Sequence, residues 1–196
     1  IHAATASKIF KVPLDKVSGE MRNRAKTANF GIIYGITPFG LSERLNIPRG
    51  EARDLIDEYF VTFPGVKHYM DESIAVAREK GYVETLLGRK RFLPDINSRN
   101  ATVRGYAERN AINAPIQGSA ADIIKVAMIR IYNRFQKEKL RSKMILQVHD
   151  ELDFNVIPEE LELVRKIVVE EMENACRLSV PLKTDFGVGT NWLVAH

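Results

Sequence analysis

Four side chains that suit a ligand with an anionic end and a flat end recur every four residues near the start of the chain. Arg22 and Lys26 are cations, and Phe30 and Tyr34 are aromatic. Positions four apart form one slowly drifting stripe on a helix, here about 18 Å long. Arg grips phosphate oxygens with two donors, Lys supplies a point charge, and an aromatic face stacks on a base or sugar. The stripe suits a nucleoside triphosphate, although an amphipathic helix with an exposed basic end and a buried aromatic end has the same pattern.

Two adjacent carboxylates, Asp150 and Glu151, lie between the apolar runs Met144–Val148 and Leu152–Val156. The two runs predict an antiparallel hairpin with the carboxylates at its turn. Mg²⁺ takes carboxylate oxygens, and one or two are enough when substrate phosphates supply other ligands. Asp150 is therefore a candidate metal ligand. The simpler alternative is that a hairpin tip is polar because water covers it.

A third set of polar side chains, Arg109, Asn113 and Gln117, is again spaced by four on a predicted helix rich in Ala and Ile. These side chains can donate hydrogen bonds to the sugars, bases or phosphates of a duplex. A solvated helix face explains them equally well. The basic tip Arg89–Arg91 of a predicted hairpin is a weaker candidate for contact with a phosphate backbone.

The elements that would position these residues are helices first and short strands later, so the sequence predicts an α+β fold. Pro115 and Gly118 are expected to interrupt the helix that starts after Asn100. The predicted helices are 1–10, 21–34 capped by Ser18, 40–45, one from Pro48 to about 63, one from there to Lys80, one from Asn100 to Asn113 and on to about Lys139, and one from Pro158. The predicted strands are 82–86, 91–93, 144–148, 152–156 and 182–188.

The charge of the chain is unevenly distributed. The net charge is 29 − 25 = +4, but residues 150–173 hold nine acidic and two basic residues, which leaves +11 for the rest. This asymmetry fits a polyanion-binding face with an acidic back, or an acidic helix that simply faces water. Cys176 has no second cysteine to pair with, which predicts a reducing cytoplasm. No apolar run suggests a membrane span, and the start at Ile1 suggests a fragment of a longer protein.

Three segments together resemble the family A DNA polymerases. The run Met21–Gly35 resembles the fingers-helix motif B, with Arg, Lys, Phe-Gly and Tyr-Gly at that family's spacing. Gln147–Glu151 resembles the palm motif C, and Asn113–Asp122 resembles the block between the two motifs. The order is the family's order, and the resemblance covers essentially the whole chain. It implies a fingers side over 1–81, including the nucleotide helix 21–34, and a palm side with a small antiparallel sheet over 82–196.

For the nucleotide, the resemblance implies that Arg22 and Lys26 hold the triphosphate of the incoming dNTP. Lys26 would also act as general acid toward the leaving pyrophosphate. Phe30 would pack on the sugar and base, and Tyr34 would gate the position of the templating base. Such an enzyme replicates or repairs DNA in the bacterial cytoplasm, at the nucleoid.

For the metal and the DNA, the resemblance implies two Mg²⁺ ions with Asp150 as ligand and Glu151 in support. The residues that would line the primer-template DNA are Arg109, Asn113, Gln117 and His149. The family's other principal carboxylate belongs to motif A, in a strand upstream of this chain. The isolated chain is therefore expected to need the rest of its parent and to be inactive alone. A single-subunit RNA polymerase fragment and a noncatalytic nucleic-acid-binding module remain as alternatives.

Overall fold

The computed structural model of the chain describes residues 2–195 and has the α+β architecture that the sequence predicts. The helices are α1 His2–Ile9, α2 Gly19–Ile33, α3 Pro38–Leu45, α4 Arg49–Thr62, α5 Pro64–Lys80, α6 Ala101–Lys137, α7 Leu161–Glu173 and α8 Trp192–Ala195. The strands are β1 Tyr82–Glu84, β2 Lys90–Phe92, β3 Lys143–Val148 and β4 Glu151–Asn155, and 3-10 turns cover Leu14–Lys16 and Pro158–Glu160. Within residues 2–195, no helix is both long enough and apolar enough to cross a bilayer.

The chain divides into two compact units, Ile1–Ile116 and Gln117–His196. This division follows the density of backbone contacts, whereas the expected boundary between residues 81 and 82 separates two functional regions. The functional boundary therefore stays a prediction, and each unit is described by itself.

In the first unit, α2 begins at a side-chain cap and buries one face. Ser18 accepts a hydrogen bond from the Met21 amide at 3.1 Å, which satisfies one of the free donors at the start of the helix. Ala28 and Ile32 of α2 are almost fully buried. They join a core from α1, α3 and α4 whose other buried members are Ile9, Leu41, Ala52, Leu55 and Tyr59. Each buried Leu or Ile side chain contributes about 1.5–3 kcal/mol.

The β1–β2 hairpin follows the end of α5 at Gly81, whose φ of +76° is the left-handed conformation that glycine adopts at helix ends. The strands are antiparallel, with Tyr82 opposite Phe92 and Glu84 opposite Lys90. The hairpin packs on a second core of the same unit, formed by the buried residues Ala77, Val83, Leu93, Ile96, Ala107 and Ala111.

The expected interruption of α6 at Pro115 and Gly118 is wrong. The helix runs without a break from Ala101 to Lys137, with Pro115 inside it. Asn100 caps its start, since its Oδ1 accepts from the Thr102 amide at 2.9 Å. Proline removes one hydrogen bond from a helix, and the burial of Ala107, Ala111 and Ile112 in the preceding turns helps to offset that cost.

In the second unit, β3 and β4 form the predicted hairpin. Gln147 pairs with Leu152 and Val148 with Glu151, and a bulge lies between Met144 and Leu146. The hairpin and α7 cover a core that contains the buried residues Ala127, Ile131, Phe135, Val164, Ile167, Val168 and Ala175.

The predicted strand 182–188 is also wrong, because the structure assigns no strand to these residues. Phe186 and Val188 are 38% and 57% exposed, so their alternation creates no buried face. The segment lies instead close to α8. A Cβ on Gly189 would come within 2.7 Å of the Ala195 amide nitrogen, so glycine permits this approach.

Candidate nucleotide and nucleic-acid site

The stripe on α2 lies on the exposed side of the helix over its whole length. Arg22 and Lys26 are exposed, and the rings of Phe30 and Tyr34 are 48% and 44% exposed. Tyr34 is the residue that ends the helix. Both aromatic rings are therefore exposed next to the cations, and the described residues do not bury the aromatic end of the stripe.

The two cations of the stripe differ from Arg24, a third cation on α2. Arg24 forms an ion pair with Glu51 and lies 5.6 Å from the centre of the Phe10 ring, so it has a structural role between α2 and its neighbours. Among residues 2–195, no carboxylate lies within ion-pair distance of Arg22 or Lys26. Their charges are thus available to an anionic ligand.

His2 belongs to this site, although the sequence analysis did not find it. Its ring lies 5.6 Å from the Phe30 ring, with 52° between the planes. Partial burial, followed by the positive charges of Lys26 and Arg22, lowers the pKa of His2. Because His2 is on α1 and the stripe is on α2, no spacing along the sequence connects them. Only the packing of the two helices does.

An open cleft of about 400 Å³ connects the aromatic end of the stripe with Arg109 of α6. Gly35 lines this cleft and has a φ of +72°, and a Cβ at that position would lie 3.0 Å from Cγ of Arg109. The residues that line the cleft are Gly31, Tyr34, Gly35, Ile36, Thr37, Arg44 and Arg109. The structure therefore brings together Tyr34 and Arg109, which the sequence analysis placed in separate sets.

The other members of the α6 set differ in their surroundings. Asn113 is half-buried, and its Oδ1 is buried without a hydrogen-bond partner among the described residues. A buried acceptor of this kind is costly unless another group donates to it. Gln117 is exposed and is the first residue of the second unit.

The β3–β4 turn holds His149 and Asp150 at the tip of the hairpin. His149 has a φ of +54°, and its carbonyl accepts a hydrogen bond from Nε2 of Gln147 at 2.9 Å. Two-residue hairpin loops favour positive φ because it matches the twist of the strands, but for a residue other than glycine it costs roughly 1–3 kcal/mol. This turn is therefore held in a strained conformation in which the exposed Asp150 projects beyond the strands.

Asp150 fits a hard cation. Its carboxylate is exposed, and no Lys or Arg of the described residues pairs with it. Glu151 is half-buried at the start of β4, on the same strand face as Asp153, whose Oδ2 is buried without a hydrogen-bond partner among the described residues. Residues 2–195 contain no group of three or more His, Cys, Asp or Glu that could hold a metal ion. The described residues therefore do not form a complete metal site by themselves.

A buried serine and a glutamate fix the base of this hairpin. Ser142 donates its hydroxyl to Glu160 at 2.6 Å, and the same hydroxyl oxygen accepts from the Ile157 amide at 3.0 Å. Glu160 also accepts from the amides of Ser142 and Arg141, at 2.9 and 3.0 Å. The Ser142 hydroxyl, then the Arg141 amide, lower the pKa of Glu160.

The sequence and the fold both match known proteins. The family model described as DNA polymerase family A matches residues 1–194. The chain is 53% identical to the DNA polymerase I of Bacillus caldotenax and 50% identical to that of Bacillus subtilis strain 168, each over 192 residues. It resembles the POL domain of Pol1 from M. smegmatis, solved in complex with DNA primer-template and dNTP, with a TM-score of 0.95 and 46% identity over 99% of the chain.

The chain is much shorter than these proteins. It spans 22% of the length of either Bacillus relative and 34% of the solved chain. What the complete proteins bind and catalyse is therefore a property of a much longer chain.

Proposed function

The chain belongs to DNA polymerase family A, and on that premise we propose that it forms the nucleotide-binding fingers segment and part of the palm of a template-directed DNA polymerase. The observation that carries this proposal is the exposed stripe of two cations, which pair with no carboxylate of residues 2–195, followed by two exposed aromatic rings. A helix that only packed in a core would not leave such a set facing outward.

At the basic end of the stripe, Arg22 and Lys26 bind the triphosphate of an incoming dNTP. Lys26 also donates a proton to the departing pyrophosphate. The ring of His2, 5.6 Å from the Phe30 ring, adds a further polar group beside the stripe. At the other end, Phe30 packs on the sugar and base, and its outward exposure supports this role.

The cleft between Tyr34 and Arg109 receives the template strand. An aromatic side chain beside a guanidinium suits a nucleotide, because the ring stacks on a base while the cation contacts phosphate. Asn113, Gln117 and His149 contact the primer-template near the growing end. The buried, unsatisfied Oδ1 of Asn113 supports a polar partner there.

Asp150 is the metal ligand of this chain, and Glu151 supports it. When bound, two Mg²⁺ ions supply activation of the primer 3′-hydroxyl and stabilisation of the leaving oxygen in an in-line nucleotidyl transfer. Asp150 is exposed at the tip of the hairpin, directly after His149 with its φ of +54°. The second principal carboxylate comes from motif A of the parent chain, so this chain alone does not extend a primer.

The test is Asp150→Asn in the full-length polymerase. The amide keeps the shape of the side chain and removes the charge that attracts Mg²⁺, so nucleotide addition should fall by at least about a thousandfold while primer-template affinity stays within about twofold. Asp185→Asn, an exposed carboxylate of the same unit, is the matched control and should be active.

Near-normal addition by Asp150→Asn would show that Asp150 is only a solvated turn residue. A full-length wild-type protein that binds primer-template but adds no nucleotide would favour the noncatalytic binding module instead.

A further inference from the structure

A buried amide connects α1 to the nucleotide stripe. Asn29 of α2 and Thr5 of α1 are 7% and 4% exposed. The Asn29 Nδ2 donates to the Thr5 hydroxyl at 3.2 Å and lies 3.0 Å from Nδ1 of His2. The buried amide nitrogen of Asn29 therefore donates to Thr5 of α1 and contacts the ring of His2 on the same helix.

We infer that Asn29, held by Thr5, is a positioning residue that fixes the ring and tautomer of His2 so that its Nε2–H is presented to the triphosphate. This inference rests on the proposed function and names how one group of the nucleotide site is oriented.

The donor count favours this arrangement. With the amide nitrogen of Asn29 turned toward Nδ1 of His2, as it is in this structure, the nitrogen donates and Nδ1 is the unprotonated acceptor. In a neutral imidazole the proton is then on Nε2, because the bond made by one ring nitrogen decides which tautomer is present. The two amide hydrogens of Asn29 are both used, one on Thr5 and one on His2.

The charges around His2 favour the neutral ring. Lys26 and Arg22, the cations that we assign to the triphosphate, lower the pKa of His2 together with partial burial. A neutral imidazole has two tautomers, with the proton on either Nδ1 or Nε2, unless a neighbouring group selects one of them. Asn29 makes that selection before a ligand arrives, which reduces the ordering that binding would otherwise require.

The position of the ring links this network to the nucleotide. His2 lies against Phe30, one helical turn beyond Lys26 on the stripe. Asn29 itself is buried and contacts no ligand, so it acts only through His2. Packing alone does not require an amide here, because the neighbouring buried positions Ala28 and Ile32 are apolar.

The experiment is a double-mutant cycle in the full-length polymerase, with Asn29→Leu, His2→Ala and the double variant. The apparent Kd for dNTP and the maximal rate come from single-turnover incorporation, and primer-template affinity is measured in parallel. We expect each single variant to weaken dNTP binding by about tenfold, as loss of one hydrogen bond to a charged group does. The double variant should be no weaker than His2→Ala alone, because Asn29 has no effect without the ring.

Two further variants make the readout specific. Thr5→Val keeps the shape of the side chain, loosens Asn29, and should weaken dNTP binding by about threefold only when His2 is present. Asn23→Leu, at an exposed position of the same helix, is the control and should not change the Kd for dNTP.

Asn29→Asp covers the case in which Asn29→Leu does not fold. The carboxylate accepts a hydrogen bond from Nδ1–H and so reverses the neutral tautomer, while its charge raises the pKa of His2. Relative to wild type, its dNTP binding should be weak at high pH and recover at low pH, where the imidazolium donates from both nitrogens.

An equal loss from Asn29→Leu in the presence and absence of His2 would overturn the inference and make Asn29 a packing residue. Wild-type dNTP binding by Asn29→Leu would do the same. If Arg22→Ala and Lys26→Ala also leave dNTP binding unchanged, the proposed nucleotide site has failed, which is a different result.

Discussion

Replacing Gly35 by alanine tests whether the cleft between Tyr34 and Arg109 takes part in template use. Gly35 has a φ of +72°, and a Cβ there would approach Arg109 Cγ to 3.0 Å. The substitution therefore introduces two separate perturbations, backbone strain and displacement of one side chain.

The strain determines the loss of stability. An alanine at this φ costs about 1–2 kcal/mol, and its smaller unfolded-state entropy returns about 0.4–1 kcal/mol. The net loss is about 1 kcal/mol, or a fall of roughly 2–4 °C in the melting temperature of a cooperative unit of about 150–250 residues. The displacement determines the loss of function. Ordinary carbon contacts are about 3.5–4.0 Å, so the Arg109 side chain must move by at least about 0.5 Å away from Gly35.

Two other glycines of the first unit separate these perturbations. Gly81 has a φ of +76° but no atom within 4 Å of an added Cβ, so Gly81→Ala has the strain alone. Gly50 has neither a positive φ nor a neighbour, so Gly50→Ala should be neutral or stabilise α4 by up to about 1 kcal/mol.

The assay combines thermal unfolding of the full-length polymerase with single-nucleotide incorporation on a primer-template with a single-stranded overhang. Gly35→Ala and Gly81→Ala should lose similar stability, but only Gly35→Ala should lose incorporation, by about tenfold, since small misplacements of positioning groups have effects of this size. Normal incorporation by a Gly35→Ala variant of reduced stability would refute the assignment of Arg109 to the template. Wild-type stability of both variants would refute the strain argument.

Two predictions concern the stripe. Arg22→Ala should weaken dNTP binding, and Lys26→Ala should also slow the chemical step by about a hundredfold, because a general acid is lost. Single-turnover kinetics separate the effect on binding from the effect on chemistry, and a fall in duplex affinity instead would make the stripe a DNA-backbone patch. Phe30→Tyr should remove most of the discrimination against dideoxynucleotides, because the exposed ring has room for a hydroxyl near the missing 3′-hydroxyl of the analogue. Competition between a deoxynucleotide and its dideoxy form measures this discrimination, and an unchanged value would show that Phe30 does not face the sugar.

The sequence predicted the parts of the site that lie on one element. Arg22, Lys26, Phe30 and Tyr34 share a helix, and a period of four places them on one face whatever the helix packs against. The Ser18 cap and the β3–β4 turn are equally local, because the side chains that define them are within a few residues of each other. Helices and hairpins with such local signals were therefore predicted nearly residue by residue.

The parts that were missed depend on contacts between elements. His2 reaches the stripe because α1 packs on α2, and Arg109 of α6 lines the same cleft as Tyr34, far away in the sequence. The wrong predictions have the same origin. A proline inside α6 was given more weight than the packing of the residues around it. Alternation in 182–188 was interpreted as a strand, although no strand of the described residues pairs with it.

The clamp at the base of the hairpin gives a further prediction, in which pH has a defined direction. The Ser142 hydroxyl, then the Arg141 amide, lower the pKa of Glu160, so the folded state favours the carboxylate. A group of this kind stabilises the fold above its unfolded pKa of about 4.3, and its contribution is lost as pH falls through the lower folded value.

Glu160→Gln replaces one accepting oxygen by an amide that cannot accept from Ser142 or Arg141, so the variant should unfold at a lower urea concentration than wild type. The difference between the two midpoints should be constant from pH 7 to about 5.5 and should shrink below about pH 4.3, as the wild-type carboxylate takes up a proton. Glu159→Gln, at the exposed neighbouring position, is the matched control and should unfold like wild type. A midpoint difference that stays constant or grows below pH 4 would show that the charge of Glu160 does not stabilise the base of the hairpin.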